Sequence, residues 1–269
     1  MPRANVIMRV MGRVGSNGEA IGYDEAGTGD ATPIVFLHGV GSDKSVWRPQ
    51  LDHFASTRRV IAFDYPGYGD SDPAPPGTTR DDYANAIWSA LDALGVSKAH
   101  ICGLSLGGVV AIAMHYAAPE RCASLILADT FAVHPDGQGI HDRSLAGSAD
   151  MRAFAESRAD FLLAQPADPA VRTEVIETMS SIDPAAYRVG VEAVWLADQR
   201  DRAERIRVPT LILCGSEDKP TPPSLSEQLH AAIPRSRLEL IADAGHLTNI
   251  ERPAEFNWLV DAFIGGVEA

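Results

Sequence analysis

The hexapeptide Gly103-Leu104-Ser105-Leu106-Gly107-Gly108 is the most specific part of this sequence, because it matches the pattern G-x-S-x-G. An apolar run at 100–102 comes before it, and apolar residues at helical spacing follow it from Leu106. A strand, a tight turn and a helix in this order hold the central serine on a sharp bend with its hydroxyl exposed. Side chains on Gly103 and Gly107 would collide across such a turn. The pattern therefore predicts a nucleophilic serine at position 105.

Working outward from this turn, short apolar runs alternate with helix-length segments along most of the chain. The runs that predict strands are 34–37, 60–63, 100–102, 125–128, 211–214 and 238–241. Each is almost continuously apolar, as is expected of strands that are covered on both faces. Strands that alternate with helices predict an α/β fold with a mostly parallel sheet and right-handed crossovers.

Three helices can be assigned around these strands from their apolar spacing and their end signals. The first spans 83–94, with Asp81 or Asp82 as its N-cap and Gly95 as its end. The second spans 106–118 and is ended by Pro119. The third spans 256–264 and is ended by two glycines at 265 and 266.

The alternation stops between residues 131 and 207. This segment opens with a stretch rich in glycine and histidine, 134–147, which predicts a loop. Helical patches at 151–163, 170–179 and 185–196 follow, and no strand-like run separates them. We therefore expect a helical insertion, 131–207, over one edge of a sheet formed by residues 1–130 and 208–269.

A serine hydroxyl needs a base to become a nucleophile. Of the eight histidines, His246 is the best placed, because it follows the last strand-like run in a loop. Loops at the carboxyl ends of parallel strands are where α/β sheets hold their sites. We predict that His246 is the base.

The base in turn needs a carboxylate to fix its tautomer and to stabilise the imidazolium. Asp129 and Asp218 both follow strand-like runs and both precede His246. We favour Asp218, because the sequence 215–218 and the Pro220-Thr221-Pro222 that follows are suited to projecting one carboxylate. Asp129 remains the alternative acid.

An acyl-transfer site also needs N–H donors for the oxyanion. One donor is expected on the residue after the nucleophile, which is Leu106. The other is expected in the loop after an early strand, here His38-Gly39-Val40-Gly41, where glycine lets the main chain approach a substrate. We predict that the Val40 amide is this second donor.

The composition of the chain limits which partners and which location are expected for it. The chain has 269 residues, of which 45% are hydrophobic and 22% charged, so it can bury a large core. A formal charge of -13 argues against a nucleic-acid partner. No apolar run approaches the roughly 18 residues of a membrane span. Arg3, Arg9 and Arg13 interrupt any signal-peptide core, and three cysteines give no disulfide framework. We expect a cytoplasmic protein with no membrane partner, and a homo-oligomer is left open.

No cofactor or metal is expected. The stretch 39–45 lacks the glycine that a phosphate-binding loop places directly before its lysine, because Asp43 stands there. Gly67-Tyr68-Gly69 lacks the third glycine of a dinucleotide fingerprint. The histidines and aspartates of 134–142 match no metal-ligand spacing, and a solvated loop is the better interpretation.

Taken together, these residues resemble the α/β-hydrolase superfamily, over nearly the whole chain. The resemblance includes the stretch 63–71, which looks like the superfamily's D-x-x-G-x-G-x-S loop. It implies an α/β-hydrolase fold, with Ser105, Asp218 and His246 at the positions of nucleophile, acid and base. It also implies that 131–207 is a helical cap over the active site.

Within the superfamily the chain is most similar to 3-oxoadipate enol-lactonases and related bacterial aromatic-degradation hydrolases. The similar stretches are 46–50, 102–108 and 246–253. Two places depart from that group: His38-Gly39-Val40-Gly41, where the group has Asn- or His-Ser-Leu-Gly, and Pro66, where it has arginine. Both departures are expected to border the pocket.

These observations predict a metal-independent serine hydrolase that cleaves a carboxylic ester or a lactone. Trp47 and Trp195 are predicted to contact the substrate, with Phe154 and Phe161 as further candidates for the pocket wall. A substrate that carries a carboxylate would need a local cation, for which the segment 131–207 offers Arg143, Arg152, Arg158 and Arg188.

The alternatives are a general carboxylesterase, a carbon–carbon hydrolase of the meta-cleavage type, a haloperoxidase-like enzyme or perhydrolase, and a non-catalytic receptor or scaffold. Dehalogenases and epoxide hydrolases are disfavoured, because those relatives have aspartate where Ser105 stands.

Overall fold

The computed structural model describes residues 9–16 and 18–269. In this part of the chain eight strands form one sheet in the order β1-β2-β4-β3-β5-β6-β7-β8. The strands are β1 (Arg9–Ser16), β2 (Glu19–Ala26), β3 (Ile34–Leu37), β4 (Val60–Phe63), β5 (Ala99–Leu104), β6 (Cys122–Ala128), β7 (Thr210–Gly215) and β8 (Ser236–Ile241). The strands from β3 to β8 pair in parallel, whereas β1 and β2 pair antiparallel at one edge.

Eleven α-helices accompany the sheet in the described residues. They are α1 (Arg48–Phe54), α2 (Arg80–Ala93), α3 (Leu106–Ala117), α4 (Gly137–Gly147), α5 (Met151–Leu162), α6 (Pro169–Ser181), α7 (Pro184–Trp195), α8 (Arg200–Ala203), α9 (Pro223–Ala232), α10 (Thr248–Glu251) and α11 (Pro253–Glu268). The predicted fold class, a mostly parallel sheet flanked by helices, is confirmed. None of these helices is both long and apolar enough to cross a bilayer.

All six predicted strands are present, and four of them are buried at every residue. Complete burial explains their continuous apolar sequences, since both faces are covered by helices. Strands β1 and β2 were not predicted; they form an edge hairpin whose side chains are mostly half-buried or exposed. Such strands mix polar and apolar residues and give a weaker signal.

The ends of two helices differ from the prediction. Helix α2 begins at Arg80, and Thr79 rather than Asp81 or Asp82 is its N-cap. Thr79 and Asp82 form a capping box, in which the Asp82 carboxylate accepts from the Thr79 N–H at 2.8 Å. Helix α11 runs through both glycines to Glu268, whose carboxylate is held by Arg58 at 2.9 Å.

Five helices, α4 to α8, fill the segment between β6 and β7. Three of them match the predicted helical patches, but the predicted loop at 134–147 is wrong, because α4 occupies most of it. Gly137 explains the difference, since a side chain there would overlap the Trp195 carbonyl on α7. Gly137, one of the glycines that suggested a loop, instead allows α4 to pack closely on α7.

Candidate active site

The carboxyl ends of β3, β5, β6, β7 and β8 lie side by side, and the predicted site residues follow them. Ser105 stands between β5 and α3 with φ of 55° and ψ of -113°. A positive φ is strained for a residue with a Cβ, and it places serine on the predicted sharp turn. The turn is held by the Ser105 N–H, which donates to the Ala128 carbonyl at 2.9 Å, and by the Thr130 hydroxyl, which donates to the Ser105 carbonyl at 2.8 Å.

The two glycines of the turn are required by close contacts. A Cβ on Gly103 would overlap the Gly107 carbonyl, and a Cβ on Gly107 would overlap the Leu37 carbonyl at the end of β3. Both obstacles are backbone atoms, which cannot rotate away. A larger residue at either position would therefore force the backbone to shift.

His246 and Asp218 form a buried pair. The Nδ1 atom of His246 lies 3.0 Å from Oδ2 of Asp218 and 3.1 Å from Oδ1. The His246 N–H donates to the Leu162 carbonyl at the end of α5, at 2.7 Å, which fixes the loop that carries the imidazole. With Nδ1 turned to the carboxylate, Nε2 is the nitrogen that can take a proton from a nucleophile.

Thr221, which was not predicted from the sequence, supports this pair. Its N–H donates to Oδ1 of Asp218 at 2.9 Å, and its hydroxyl donates to Oδ2 at 2.7 Å. The same hydroxyl lies 3.2 Å from Nδ1 of His246. A threonine three residues after an aspartate in a loop is the sequence signal that could have found it, because such pairs bond locally.

Asp129, the alternative acid, has other partners. Its carboxylate accepts from the Gly215 N–H at 2.9 Å and from the Thr248 hydroxyl at 2.5 Å. Burial, and after it the negative charge of Asp218, raise the pKa of Asp129 well above its usual range. The structure thus places Asp218, and not Asp129, against the imidazole of His246.

Among the residues that the structure describes, one group has side-chain atoms that could together bind a metal ion. It consists of Asp129, Cys214 and Asp218, whose possible ligand atoms lie within 4.8 Å of one another. Both carboxylates already accept hydrogen bonds from neighbouring groups. Burial raises the pKa of the Cys214 thiol, which disfavours the thiolate that binds metals. The arrangement suits hydrogen bonding within the site better than a metal ion.

The residues predicted to supply the oxyanion donors lie near Ser105: Leu106 follows it in the chain, and Val40 lines the same cavity. Leu106 is the first residue of α3, where an N–H has no acceptor within the helix. Gly39 approaches so closely that a Cβ there would lie 3.5 Å from the Cβ of Ser105. The Tyr68 hydroxyl donates to the Val40 carbonyl at 3.2 Å, which holds the peptide between Val40 and Gly41, directly after the predicted donor.

One cavity contains both Ser105 and His246. It is lined by Gly39, Val40, Gly41, Ser42, Val46, Ser105, Ser144, Arg158, Leu162, Glu174, Val175, Thr178, Met179, Tyr187, Trp195, Pro220, His246, Leu247 and Ile250. The loop after β3, the segment between β6 and β7, and the loops after β7 and β8 therefore all contribute to its wall. Most of these side chains are apolar, as is usual for a small-molecule site.

The structure corrects two predictions about this wall. Trp47 is fully buried in the core, where it stacks on Phe36 with ring centroids 4.8 Å apart, and its neighbour Val46 faces the cavity instead. Pro66 lies in a different surface pocket and does not border the cavity. Trp195 does line the cavity, whereas Phe154 and Phe161 line an adjoining pocket.

The family of this chain is shown by its similarity to known proteins. A model of the alpha/beta hydrolase family matches residues 34–257, which include every strand from β3 to β8. The chain belongs to the alpha/beta hydrolase family. This confirms the resemblance inferred from the sequence and agrees with the fold.

Individual relatives of this hydrolase share about the same level of sequence identity with it. It is 29% identical to 3-oxoadipate enol-lactonase 1 of Acinetobacter baylyi over 255 residues, which cover 93% of this chain and 95% of that one. For 3-oxoadipate enol-lactonase 2 of the same organism the identity is 30%, with coverages of 90% and 92%. The crystal structure of the enol-lactonase from Burkholderia xenovorans LB400 superposes with a TM-score of 0.88 at 28% identity, over 94% of this chain and 100% of that one.

Proposed function

We propose that this alpha/beta hydrolase is a serine hydrolase that cleaves a carboxylic ester or a lactone through an acyl-enzyme, with Ser105 as nucleophile, His246 as base and Asp218 as acid. One observation carries the proposal: Ser105 and His246 line the same cavity, and Asp218 is within hydrogen-bond distance of Nδ1 of His246, which leaves Nε2 to act on the serine. This is the order of groups that serine activation requires.

In the proposed first step, the Ser105 Oγ attacks the substrate carbonyl while its proton passes to Nε2 of His246. The Asp218 carboxylate stabilises the imidazolium that forms. The Val40 and Leu106 amides donate to the oxyanion of the tetrahedral intermediate. The carbon–oxygen bond of the ester then breaks, and the leaving oxygen takes the proton from His246.

In the second step, His246 takes a proton from a water molecule, and the hydroxide attacks the acyl-enzyme. The bond to Ser105 breaks, the serine oxygen recovers its proton, and a carboxylic acid leaves. For a lactone substrate, the alcohol released in the first step stays attached to the acyl group, so one product molecule forms.

We also propose that residues 131–207 act as a helical cap on a core of residues 1–130 and 208–269. Support comes from the cavity wall, to which α5, α6 and α7 each contribute. Trp195 at the end of α7 is the cap residue that we expect to contact the substrate. A cytoplasmic location is part of the proposal, because the three cysteines are buried and free.

The proposal is tested by labelling with a fluorophosphonate probe, which reacts with activated serines. The wild-type protein should be labelled at Ser105, and Ser105→Ala should not be labelled. Hydrolysis of p-nitrophenyl butyrate should fall about 10⁴-fold or more in Ser105→Ala, because the nucleophile is lost. Near-normal turnover by a folded Ser105→Ala variant would falsify the assignment, and an unlabelled wild-type protein would favour a non-catalytic scaffold.

A further inference from the structure

An arginine without a carboxylate partner lies in the wall of the cavity. Arg158, on α5, lines the cavity that contains Ser105 and also the adjoining pocket. In the described part of the chain, its guanidinium has neither an ion pair nor a hydrogen bond. Its recorded contact is the ring of Phe161, whose centroid lies 4.4 Å from Cζ.

The other arginines considered for this role are engaged or point elsewhere. Arg143 is paired with Asp136 at 2.7 Å. Arg152 is paired with Glu156 and Glu177 at 2.8 and 2.7 Å. Arg188 is exposed and does not line the cavity.

Within residues 9–16 and 18–269, no carboxylate acts electrostatically on Arg158 among the groups that shift its pKa. Those groups are the Tyr187 hydroxyl and the positive charge of Arg143, and neither is an anion at neutral pH. Glu174 is the carboxylate of the cavity wall, and Arg48 faces it at 3.8 Å. Burial lowers the pKa of Arg158, but a guanidinium remains charged at neutral pH. A charge that is partly removed from water without a partner costs free energy.

We propose that Arg158 is a subsite for a carboxylate that the ester or lactone substrate carries away from its reacting carbonyl. This inference rests on the proposed function and names its substrate class. A guanidinium can bind a carboxylate through two parallel hydrogen bonds, and the anion would supply the partner that the protein lacks. With a net charge of -13, the protein as a whole repels such substrates, so attraction has to be local.

Two aryl esters that differ only at their far end test the subsite. Mono-4-nitrophenyl adipate ends in a carboxylate, and 4-nitrophenyl hexanoate ends in a methyl group. Arg158→Met should lower kcat/KM for the adipate ester about 10- to 100-fold, mainly through KM, as expected for hydrogen bonds to a charged group. The hexanoate ester should change less than about threefold. Arg158→Lys should recover part of the loss, and Arg188→Met should behave like wild type.

The outcomes separate the subsite from the chemistry. Equal losses on the two esters, or no loss on the adipate ester, would overturn the role of Arg158 while leaving the hydrolase proposal intact. If the wild type cleaves neither ester faster than Ser105→Ala, the hydrolase proposal fails. Calorimetric titration with adipate then still tests the subsite. Binding of adipate to Arg158→Met that is at least about tenfold weaker than to wild type supports the subsite. Equal binding to the two proteins overturns it.

Discussion

At the scale of single residues, two buried aspartates end neighbouring strands but have different surroundings. Asp218 receives two hydrogen bonds from Thr221 and faces the imidazole of His246. Asp129 is bonded to the Gly215 amide and to Thr248. Position relative to the sheet cannot distinguish the two residues, but their hydrogen-bond partners can.

Asp218→Asn should therefore reduce kcat far more than Asp129→Asn does. An amide at position 218 no longer enforces the working tautomer of His246, a loss of roughly 10⁴-fold in the best-studied triad. Asp129→Asn should retain activity within about tenfold, because the residue has no contact with the imidazole. The measurement is kcat on one ester for both variants. A larger loss for Asp129→Asn would reverse the assignment of the acid.

Asp129 should also make the protein less stable as the pH rises. Its pKa is raised in the folded state, whereas in the unfolded chain it ionises near the ordinary value of 3.8. Above that pH the native state binds more protons than the unfolded state, so the free energy of unfolding falls with increasing pH until the raised pKa is passed. Urea denaturation from about pH 4 to 8 should show Asp129→Asn gaining stability relative to wild type. A constant difference would mean that Asp129 ionises normally in the native protein.

The sequence predicted residues whose chemistry is local and missed those that act through tertiary contacts. Ser105 and His246 could be predicted as nucleophile and base because a turn motif and a loop after a strand are visible in the sequence itself. Thr248 was missed because its partner Asp129 is distant in sequence. Trp47 was misassigned because a tryptophan can serve a pocket or a core equally well, and only its packing on Phe36 distinguishes the two.

At the scale of elements, burial decided what could be predicted. Fully buried strands such as β3 and β7 have continuous apolar sequences that are hard to mistake. The hairpin of β1 and β2 was not predicted, because it is partly exposed. Helix α4 was not predicted, because it contains glycines that are used for close packing. Glycine thus indicates either a turn or a close approach, and the sequence alone does not separate these.

The turn at Ser105 allows a test of this distinction with two glycine substitutions. Gly107→Ala should destabilise the protein by about 1–3 kcal/mol, because its Cβ overlaps the Leu37 carbonyl and the strand has to shift. Gly265→Ala, within α11 and facing open space, should stabilise it by about 0.5–1 kcal/mol. Thermal unfolding of both variants is the measurement, with ester hydrolysis alongside. A stable and active Gly107→Ala protein would contradict the tight turn.

At the scale of the whole molecule, the candidate site joins segments that are distant in sequence. The end of α5 binds the His246 loop through the Leu162 carbonyl, and α7 approaches the loop of Val40 through Gly190, where a Cβ would overlap the Tyr68 hydroxyl. A helical insertion could be predicted from the sequence, but these contacts could not. They explain how the segment between β6 and β7 can shape a cavity around residues that belong to the sheet.

The substrate preference is also a property of the whole cavity. We expect an activated lactone of the enol type to be a better substrate than a simple alkyl ester. Attack by Ser105 opens the ring, and the enolate that leaves can become a ketone, which draws the reaction forward. The relatives named 3-oxoadipate enol-lactonase motivate this expectation. An enol-lactone that bears a carboxylate would also engage Arg158.

The measurement is kcat/KM for such an enol-lactone, compared with p-nitrophenyl acetate and p-nitrophenyl butyrate, with Ser105→Ala as the blank. The lactone should exceed both esters by at least about tenfold, which corresponds to roughly 1.4 kcal/mol of transition-state preference. These two aryl esters are a stricter comparison than alkyl esters would be, because p-nitrophenolate is a better leaving group than an alkoxide. If the simple esters win by the same margin, the cavity selects for acyclic acyl groups, and the protein is a general carboxylesterase that keeps the proposed roles of Ser105, Asp218 and His246.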